Sequence, residues 1–155
     1  MTFQVWVDAD ACPVAIKEIL FRAAEKRRVA VTLVANQFLR TPPGRYVTAV
    51  QVPAGFDVAD SEIVARLAPG DLVVTADIPL AAEVIGAGGV ALNPRGTLYT
   101  ANNVKDHLAR RDLMAELRDS GLTSGGPPPL SRKEIQAFAN ALDRELTRTA
   151  RENRG

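Results

Sequence analysis

The chain has 155 residues, 46% of them hydrophobic, and a formal net charge of +1, so it can bury one sizeable core but is too short for two ordinary domains. A single cysteine, Cys12, and a single histidine, His107, exclude an internal disulfide and the usual Cys/His zinc sites. No stretch approaches the roughly 18 apolar residues of a membrane helix, and nothing resembles a signal peptide. We therefore expect a cytoplasmic protein without a membrane partner.

Strand and helix patterns alternate along the first two thirds of the chain. Short apolar, β-rich runs predict five strands, at residues 3–7, 29–35, 46–52, 72–75 and 90–92. Helical spacing of apolar residues predicts helices at about residues 13–28, 57–67 and 79–85. Because strands joined by helical crossovers run parallel, we predict an α/β domain of three layers with a mostly parallel five-stranded sheet in the order 3-2-1-4-5.

The last third has a helical pattern. Two helices are predicted at residues 103–120 and from Ser131 onward, joined by a Ser/Gly/Pro-rich connector at residues 123–129. Ser131 and Glu134 have the spacing of a capping box at the start of the second helix. We assign residues 1–150 to a single domain and residues 151–155 to a frayed tail.

The run Val-Asp-Ala-Asp-Ala-Cys-Pro at residues 7–13 is the most informative motif. It places Asp8 and Asp10 between the end of the first strand and a helix that begins near Pro13. Ligands of open parallel sheets bind beyond the carboxyl ends of the strands, so the two acids predict a binding site, although either can instead cap the helix. Cys12 is interpreted as a small buried residue, because neither a base nor a second thiol accompanies it.

Polar residues follow the other predicted strands at the same edge of the sheet. They are Asn36 after strand two, Asp57 and Asp60 after strand three, Asp77 after strand four, and Asn93 and Arg95 after strand five. In contrast, Asp71 follows Gly70 and is interpreted as an ordinary turn residue. Acids in the first turn of a helix are also favoured by the helix dipole, and Asn or Arg in loops can satisfy backbone groups, so each residue has a structural alternative.

Carboxylates that converge without a Lys or Arg in the same motifs repel one another unless a proton or a cation intervenes. We therefore predict bound Mg²⁺ or Mn²⁺, ions that prefer oxygen ligands. The predicted metal ligands are Asp8, Asp10, Asp57, Asp60 and Asp77; the predicted catalytic residues are Asp8, Asp10, Asp60 and Asp77; and the predicted substrate-binding residues are Asn36, Asn93 and Arg95.

Five motifs together resemble the YaiI/YqxD family of bacterial proteins, which is grouped with PIN-like domains. They lie at residues 7–14, 55–60, 75–81, 93–96 and 124–128, and the match spans most of the chain. The resemblance implies a PIN-like fold. PIN-like nucleases carry acids after the first and fourth strands and on a helix between them, positions that Asp8, Asp77 and Asp57 or Asp60 match. Many also carry an acid after the fifth strand, where this chain has Asn93.

The leading hypothesis is a nuclease, dependent on Mg²⁺ or Mn²⁺, that acts on RNA or single-stranded nucleic acid. A second is a haloacid-dehalogenase-type phosphatase, because Asp8, Asp10 and Thr75 also fit its signature. That signature also requires a lysine and a downstream pair of acids. After Thr75 only Lys105 and Lys133 remain, and neither precedes two close acids at a strand end. A third is a non-catalytic nucleic-acid or protein-binding domain with a vestigial acidic metal pocket.

Overall fold

A computed structural model describes residues 3–55, 57–121 and 128–154. These residues contain a six-stranded sheet in the order β3-β2-β1-β4-β5-β6. The strands are β1 Gln4–Asp8, β2 Ala30–Ala35, β3 Val47–Gln51, β4 Leu72–Val74, β5 Val90–Leu92 and β6 Leu98–Tyr99. The first five run parallel, which confirms the predicted α/β class and the order 3-2-1-4-5.

The predicted count of five strands was one too few. β6 pairs antiparallel with β5 through Ala91–Tyr99 and Leu92–Leu98, after the turn that begins at Asn93. With only two residues, β6 is too short to give the alternation by which a strand is recognised in a sequence.

Five helices and a single 3-10 turn, Ala9–Ala11, complete the described fold. The helices are α1 Val14–Arg27, α2 Val58–Arg66, α3 Ile78–Gly86, α4 Val104–Asp119 and α5 Arg132–Arg154. α5 thus remains helical to Arg154, within the segment that was predicted to fray. Of the predicted connector at 123–129, residues 123–127 lie outside the described part of the chain. In that part, no helix has both the length and the apolar character needed to span a membrane.

The sheet is covered by helices on both faces, which gives the predicted three layers. Alternate side chains of β1 point to opposite faces: Val5 and Val7 join the core cluster that contains residues of α1 and α5, whereas Trp6 joins the cluster that contains residues of α2 and α3. Burial on both faces explains why the strands read as continuous apolar runs.

The strand register brings the carboxyl ends of the central strands to one edge. Asp8 pairs with Val34, Val7 with Val74, and Val74 with Leu92. β1, β2, β4 and β5 therefore end at nearly the same level, and the residues that follow them share that edge of the sheet.

Candidate metal centre

Three carboxylates converge where α2 and α3 begin. Asp57, Asp60 and Asp77 each offer an oxygen, and these oxygens all lie within 4.8 Å of one another. Asp57 and Asp77 occupy the N-cap positions of α2 and α3, and Asp60 lies in the first turn of α2. We call this group the carboxylate cluster. Two of the predicted metal ligands, Asp8 and Asp10, are not members of it.

The two helix starts hold their aspartates differently. One oxygen of Asp77 accepts a hydrogen bond from the Leu80 N–H at 3.1 Å, so the capping alternative holds for that oxygen. Asp57 has no side-chain capping bond and adopts a left-handed backbone conformation with φ of 61°. Such a conformation is uncommon for a non-glycine residue, although aspartate tolerates it better than most. The Asp57 carboxylate is exposed and is not used as a helix cap.

Asp8 lies beside the cluster and is held by a buried hydroxyl. Thr75 Oγ1 donates to Asp8 Oδ2 at 2.9 Å and accepts from the Asp77 N–H at 3.0 Å. Thr75 is fully buried, so its hydroxyl fixes the end of β1 relative to the turn that leads into α3. Burial raises the pKa of Asp8; the Thr75 bond lowers it, and the charges of Asp77 and Asp10 raise it.

The pKa of Asp60 is strongly raised by burial and by the negative charge of its neighbours. Its pKa is raised from 3.8 to about 7, first by burial, then by the charges of Asp77 and Asp8, by a hydrogen bond with Asp77, and by the charge of Asp57. Among the described residues, no ion pair involves these four aspartates. The cluster therefore needs either a proton or a cation to relieve its repulsion.

Asp10 faces away from the cluster, towards the end of β2. Its carboxylate accepts from the Asn36 N–H at 2.8 Å and from Gln37 Nε2 at 3.4 Å. The 3-10 turn that follows Asp8 separates the two aspartates and gives them different partners. The structure therefore connects Asp10 and Asn36 to each other and does not bring either into the cluster.

Asn93 and Arg95 organise the β5–β6 turn and its contact with α5. Asn93 Oδ1 accepts from the Arg95 N–H at 2.7 Å, and Asn93 Nδ2 donates to the Tyr99 hydroxyl at 2.9 Å. The Arg95 guanidinium bonds the Glu134 carboxylate at 2.8 Å and the Pro128 carbonyl. Both residues thus have the structural roles that the sequence allowed as alternatives.

The same two residues also line a cleft at the predicted edge. Its volume is about 420 Å³, within the range of small-ligand pockets. The lining residues are Ala11, Pro13, Ala76, Asn93, Pro94, Arg95 and Leu130. Ala76 immediately precedes Asp77 in the sequence, but no aspartate of the carboxylate cluster lines the cleft.

The remaining predictions concern single residues. Cys12 is buried, as predicted, and burial raises the pKa of its thiol to about 12, which leaves it protonated at neutral pH. Glu134 and Ser131 form the predicted capping box through bonds of 3.0 and 3.1 Å. Lys105 and Lys133 are exposed in the first turns of α4 and α5.

The sequence reasoning missed the positioning role of Thr75, which entered only as part of the phosphatase signature. A signal was present: a hydroxyl residue directly follows a buried apolar strand and stands two residues before an aspartate that starts a helix. A buried hydroxyl at such a place requires hydrogen-bond partners, and Asp8 and the Asp77 N–H supply them.

Comparison with known proteins identifies the group to which the sequence is related. The model of a family described as "Uncharacterized BCR, YaiI/YqxD family" matches residues 6–148. The chain belongs to the YaiI/YqxD family. It is 63% identical to a UPF0178 protein of Shewanella amazonensis over 145 residues, which cover 94% of this chain and 97% of the relative. It is 61% identical to a UPF0178 protein of Hydrogenovibrio crunogenus over 148 residues, which cover 96% and 98%. No solved structure matches the chain.

Proposed function

We propose that the chain is a phosphodiesterase dependent on Mg²⁺ or Mn²⁺ that hydrolyses RNA or single-stranded nucleic acid. The observation that carries the proposal is the convergence of Asp57, Asp60 and Asp77, whose oxygens lie within 4.8 Å of one another beyond the strand ends. A set of carboxylate oxygens without a partner cation suits a hard divalent ion, which retains positions for water and for substrate phosphate. When bound, the ion supplies Lewis-acid activation of the phosphodiester.

The protein side chains divide the work by position. The carboxylate cluster holds the ion. Its aspartates lie at the N-terminal ends of α2 and α3, and the positions of these two helix ends fix the spacing of the ligands. Asp8, beside the cluster, orients the attacking water, because Thr75 keeps its carboxylate in place through one oxygen. Supporting hydrogen bonds around a metal site tune its affinity and activity strongly.

The cleft at the same edge of the sheet supports a substrate role for Asn93 and Arg95. A guanidinium is always charged and has five N–H donors, so Arg95 retains donors for a phosphate beside its bonds to Glu134 and Pro128. Arg95 is held at the cleft by Glu134, so its position is set before substrate arrives. In this proposal a phosphate of the substrate shares the Arg95 guanidinium with Glu134.

The test measures fragment release from end-labelled single-stranded RNA in Mn²⁺. Wild type should release fragments, whereas chelator, Asp60→Asn and Asp77→Asn should each lower the rate by at least a hundredfold. Asp112→Asn is the matched control, since Asp112 is exposed on α4 and pairs with Arg111. Equal rates for wild type and Asp60→Asn would disprove the proposal. Calorimetry with Mn²⁺ reports independently whether the cluster binds the ion.

One observation favours a non-catalytic alternative. The position after β5 holds Asn93, whose amide bonds Tyr99 and the Arg95 N–H, so it adds no carboxylate to the cluster. A nucleic-acid-binding domain with a structural ion would need no further ligand there. That alternative predicts that RNA is bound but not cleaved, and that Asp60→Asn leaves RNA affinity unchanged in chelator.

A further inference from the structure

The segment between β2 and β3, residues 36–46, carries an aromatic side chain that the fold does not use. Phe38 is 77% exposed, the highest value among the large apolar side chains that the structure describes as exposed. Its neighbour Leu39 packs against the core. The segment is therefore anchored by Leu39 while it presents Phe38 to solvent.

Asp10 connects this segment to the motif that ends β1. The bonds from the Asn36 N–H and Gln37 Nε2 to the Asp10 carboxylate lie immediately before Phe38. Asp10 and Asp8 are close enough for the charge of Asp10 to raise the pKa of Asp8. Phe38 thus stands on the same edge of the sheet as the carboxylate cluster, on a segment whose start is fixed by a residue of the same motif.

The charged residues of the segment are all basic. Residues 36–46 contain two exposed arginines, Arg40 and Arg45, and no acidic residue. Arg40 is two residues from Phe38, whereas Arg45 lies near the amino end of β3, at the opposite edge of the sheet. An aromatic ring offers a stacking surface to any unpaired base, and an arginine close to it, here Arg40, attracts the phosphate backbone. A protein partner fits less well, because specific interfaces bury about 800 Å² on each side and Phe38 is the only large apolar side chain exposed in residues 36–46.

We propose that Phe38 stacks on an unpaired base of a single-stranded nucleic acid whose backbone passes over the carboxylate cluster. This inference rests on the proposed function and specifies its substrate: the strand must have unpaired bases near the site of cleavage. Bases inside a duplex are already stacked and paired, so they cannot cover the ring without being displaced.

The sheet order separates the strands that precede Phe38 and Asp77. β2 and β4 are two strand positions apart, so their carboxyl ends lie about 10 Å from each other. Stacked nucleotides rise about 3.4 Å each along one strand. About three stacked nucleotides span that separation, so we expect a short single strand, rather than a mononucleotide, to contact both Phe38 and the carboxylate cluster.

The experiment measures the affinity of labelled single-stranded oligonucleotides by fluorescence anisotropy, with Ca²⁺ in place of Mg²⁺ to suppress hydrolysis. Phe38→Ala should weaken binding of a long single strand about 5- to 100-fold, the range expected for one lost base stack. Phe38→Trp should retain binding. Met114→Ala is the matched control, since Met114 is an exposed apolar residue on α4. A duplex of the same length should bind wild type and Phe38→Ala equally.

A second readout observes the stack directly. Trp6 is the only tryptophan and is 5% exposed, so its emission should respond little to a ligand at the surface. In Phe38→Trp, single-stranded oligonucleotide should quench a new, solvent-exposed emission, whereas duplex should not.

Two results would overturn the inference: equal single-strand affinity of wild type and Phe38→Ala, or an equal loss of single-strand and duplex affinity. Equal affinity together with altered self-association in sedimentation would assign Phe38 to a contact between copies of the chain. Fragment release distinguishes failure of the inference from failure of the proposed function. If Phe38→Ala weakens single-strand binding but no variant or metal releases fragments, the inference stands and the hydrolytic proposal fails. If Phe38→Ala binds single strands as tightly as wild type and releases fragments at the same rate, the hydrolytic proposal stands and the inference fails.

Discussion

Aspartates occur at both ends of the central strands, and their partners differ. At the amino end of β4, Asp71 is 3% exposed and accepts hydrogen bonds from the Trp6 indole at 3.0 Å, the Gln4 N–H at 3.2 Å and the Ala68 N–H at 2.9 Å. At the carboxyl end, the half-buried Asp60 has Asp77, Asp8 and Asp57 as its main electrostatic neighbours. Asp71 is surrounded by donors, and Asp60 by other acids.

The difference separates a structural carboxylate from a candidate functional one. Burial of a charge is tolerated when donors satisfy it, and Asp71 uses its donors to tie β1, β4 and the turn after α2 together. The carboxylate cluster is unfavourable in the metal-free protein, and such an arrangement is typical of sites that bind a cation or perform chemistry. Substitution of Asp71 should therefore lower the stability of the protein, whereas substitution of Asp60 should raise the stability of the metal-free protein and impair function.

The largest effect is expected at Asp71. Asp71→Ala removes the acceptor of three donors, one of which is the indole N–H of the buried Trp6. Each buried donor left without a partner costs about 1–3 kcal/mol, so the free energy of unfolding should fall by about 3–5 kcal/mol. Urea denaturation followed by Trp6 fluorescence measures this change. A loss below about 1 kcal/mol would show that water replaces the carboxylate and that the proposed contrast does not hold.

A smaller effect of opposite sign is expected at Asp60. Its pKa is raised in the folded protein to about 7, so protonated Asp60 favours folding below about pH 4, and this contribution is lost as pH rises through 7. After allowance for solvent screening of this partly exposed group, about 1–2 kcal/mol should be lost over that range in chelator. Asp60→Asn should remove this pH dependence and stabilise the metal-free protein at pH 8.

Thermal melts of wild type and Asp60→Asn at pH 5 and pH 8 test that expectation, with Asp112→Asn as the exposed control on α4. Saturating Mn²⁺ should raise the melting temperature of wild type at pH 8 and should raise that of Asp60→Asn much less. A wild-type stability that rises between pH 5 and pH 8 in chelator would contradict the assigned environment of Asp60.

The sequence predicted the sheet order and the edge at which the aspartates meet, because the carboxyl ends of parallel strands lie together. Asp57, Asp60 and Asp77 converge for that reason, since they lie at the starts of two helices, α2 and α3, that each follow a strand. The partners of Asp10 and Asp71 could not be predicted. They depend on the 3-10 turn after Asp8 and on the packing of the Trp6 indole, and neither leaves a periodic pattern in the sequence.

The two candidate substrate residues illustrate the same limit. Asn93 and Arg95 follow β5 as expected, but β6 turns the chain back, and Gly96, with φ of 99°, lets this turn approach α5 so closely that a Cβ would lie 2.7 Å from Ala137 Cβ. The resulting contact of Arg95 with Glu134 is tertiary. The position of a residue after a strand predicts the edge of the sheet at which it lies, whereas tertiary packing determines what its side chain contacts.

The smallest expected effect, at Thr75, tests whether the aspartates at the carboxyl ends of the strands differ in role from Asp71 at the amino end. Thr75→Val keeps the volume of a fully buried side chain but removes its bonds to Asp8 and to the Asp77 N–H, which should cost about 1 kcal/mol of stability. If Asp8 serves the metal centre, the same change should lower Mn²⁺ affinity about tenfold in calorimetry, as expected for loss of a supporting hydrogen bond, and Thr75→Ser should restore it. If stability falls while Mn²⁺ affinity stays constant, Thr75 and Asp8 form a structural tie like that of Asp71, and the functional site is confined to Asp57, Asp60 and Asp77.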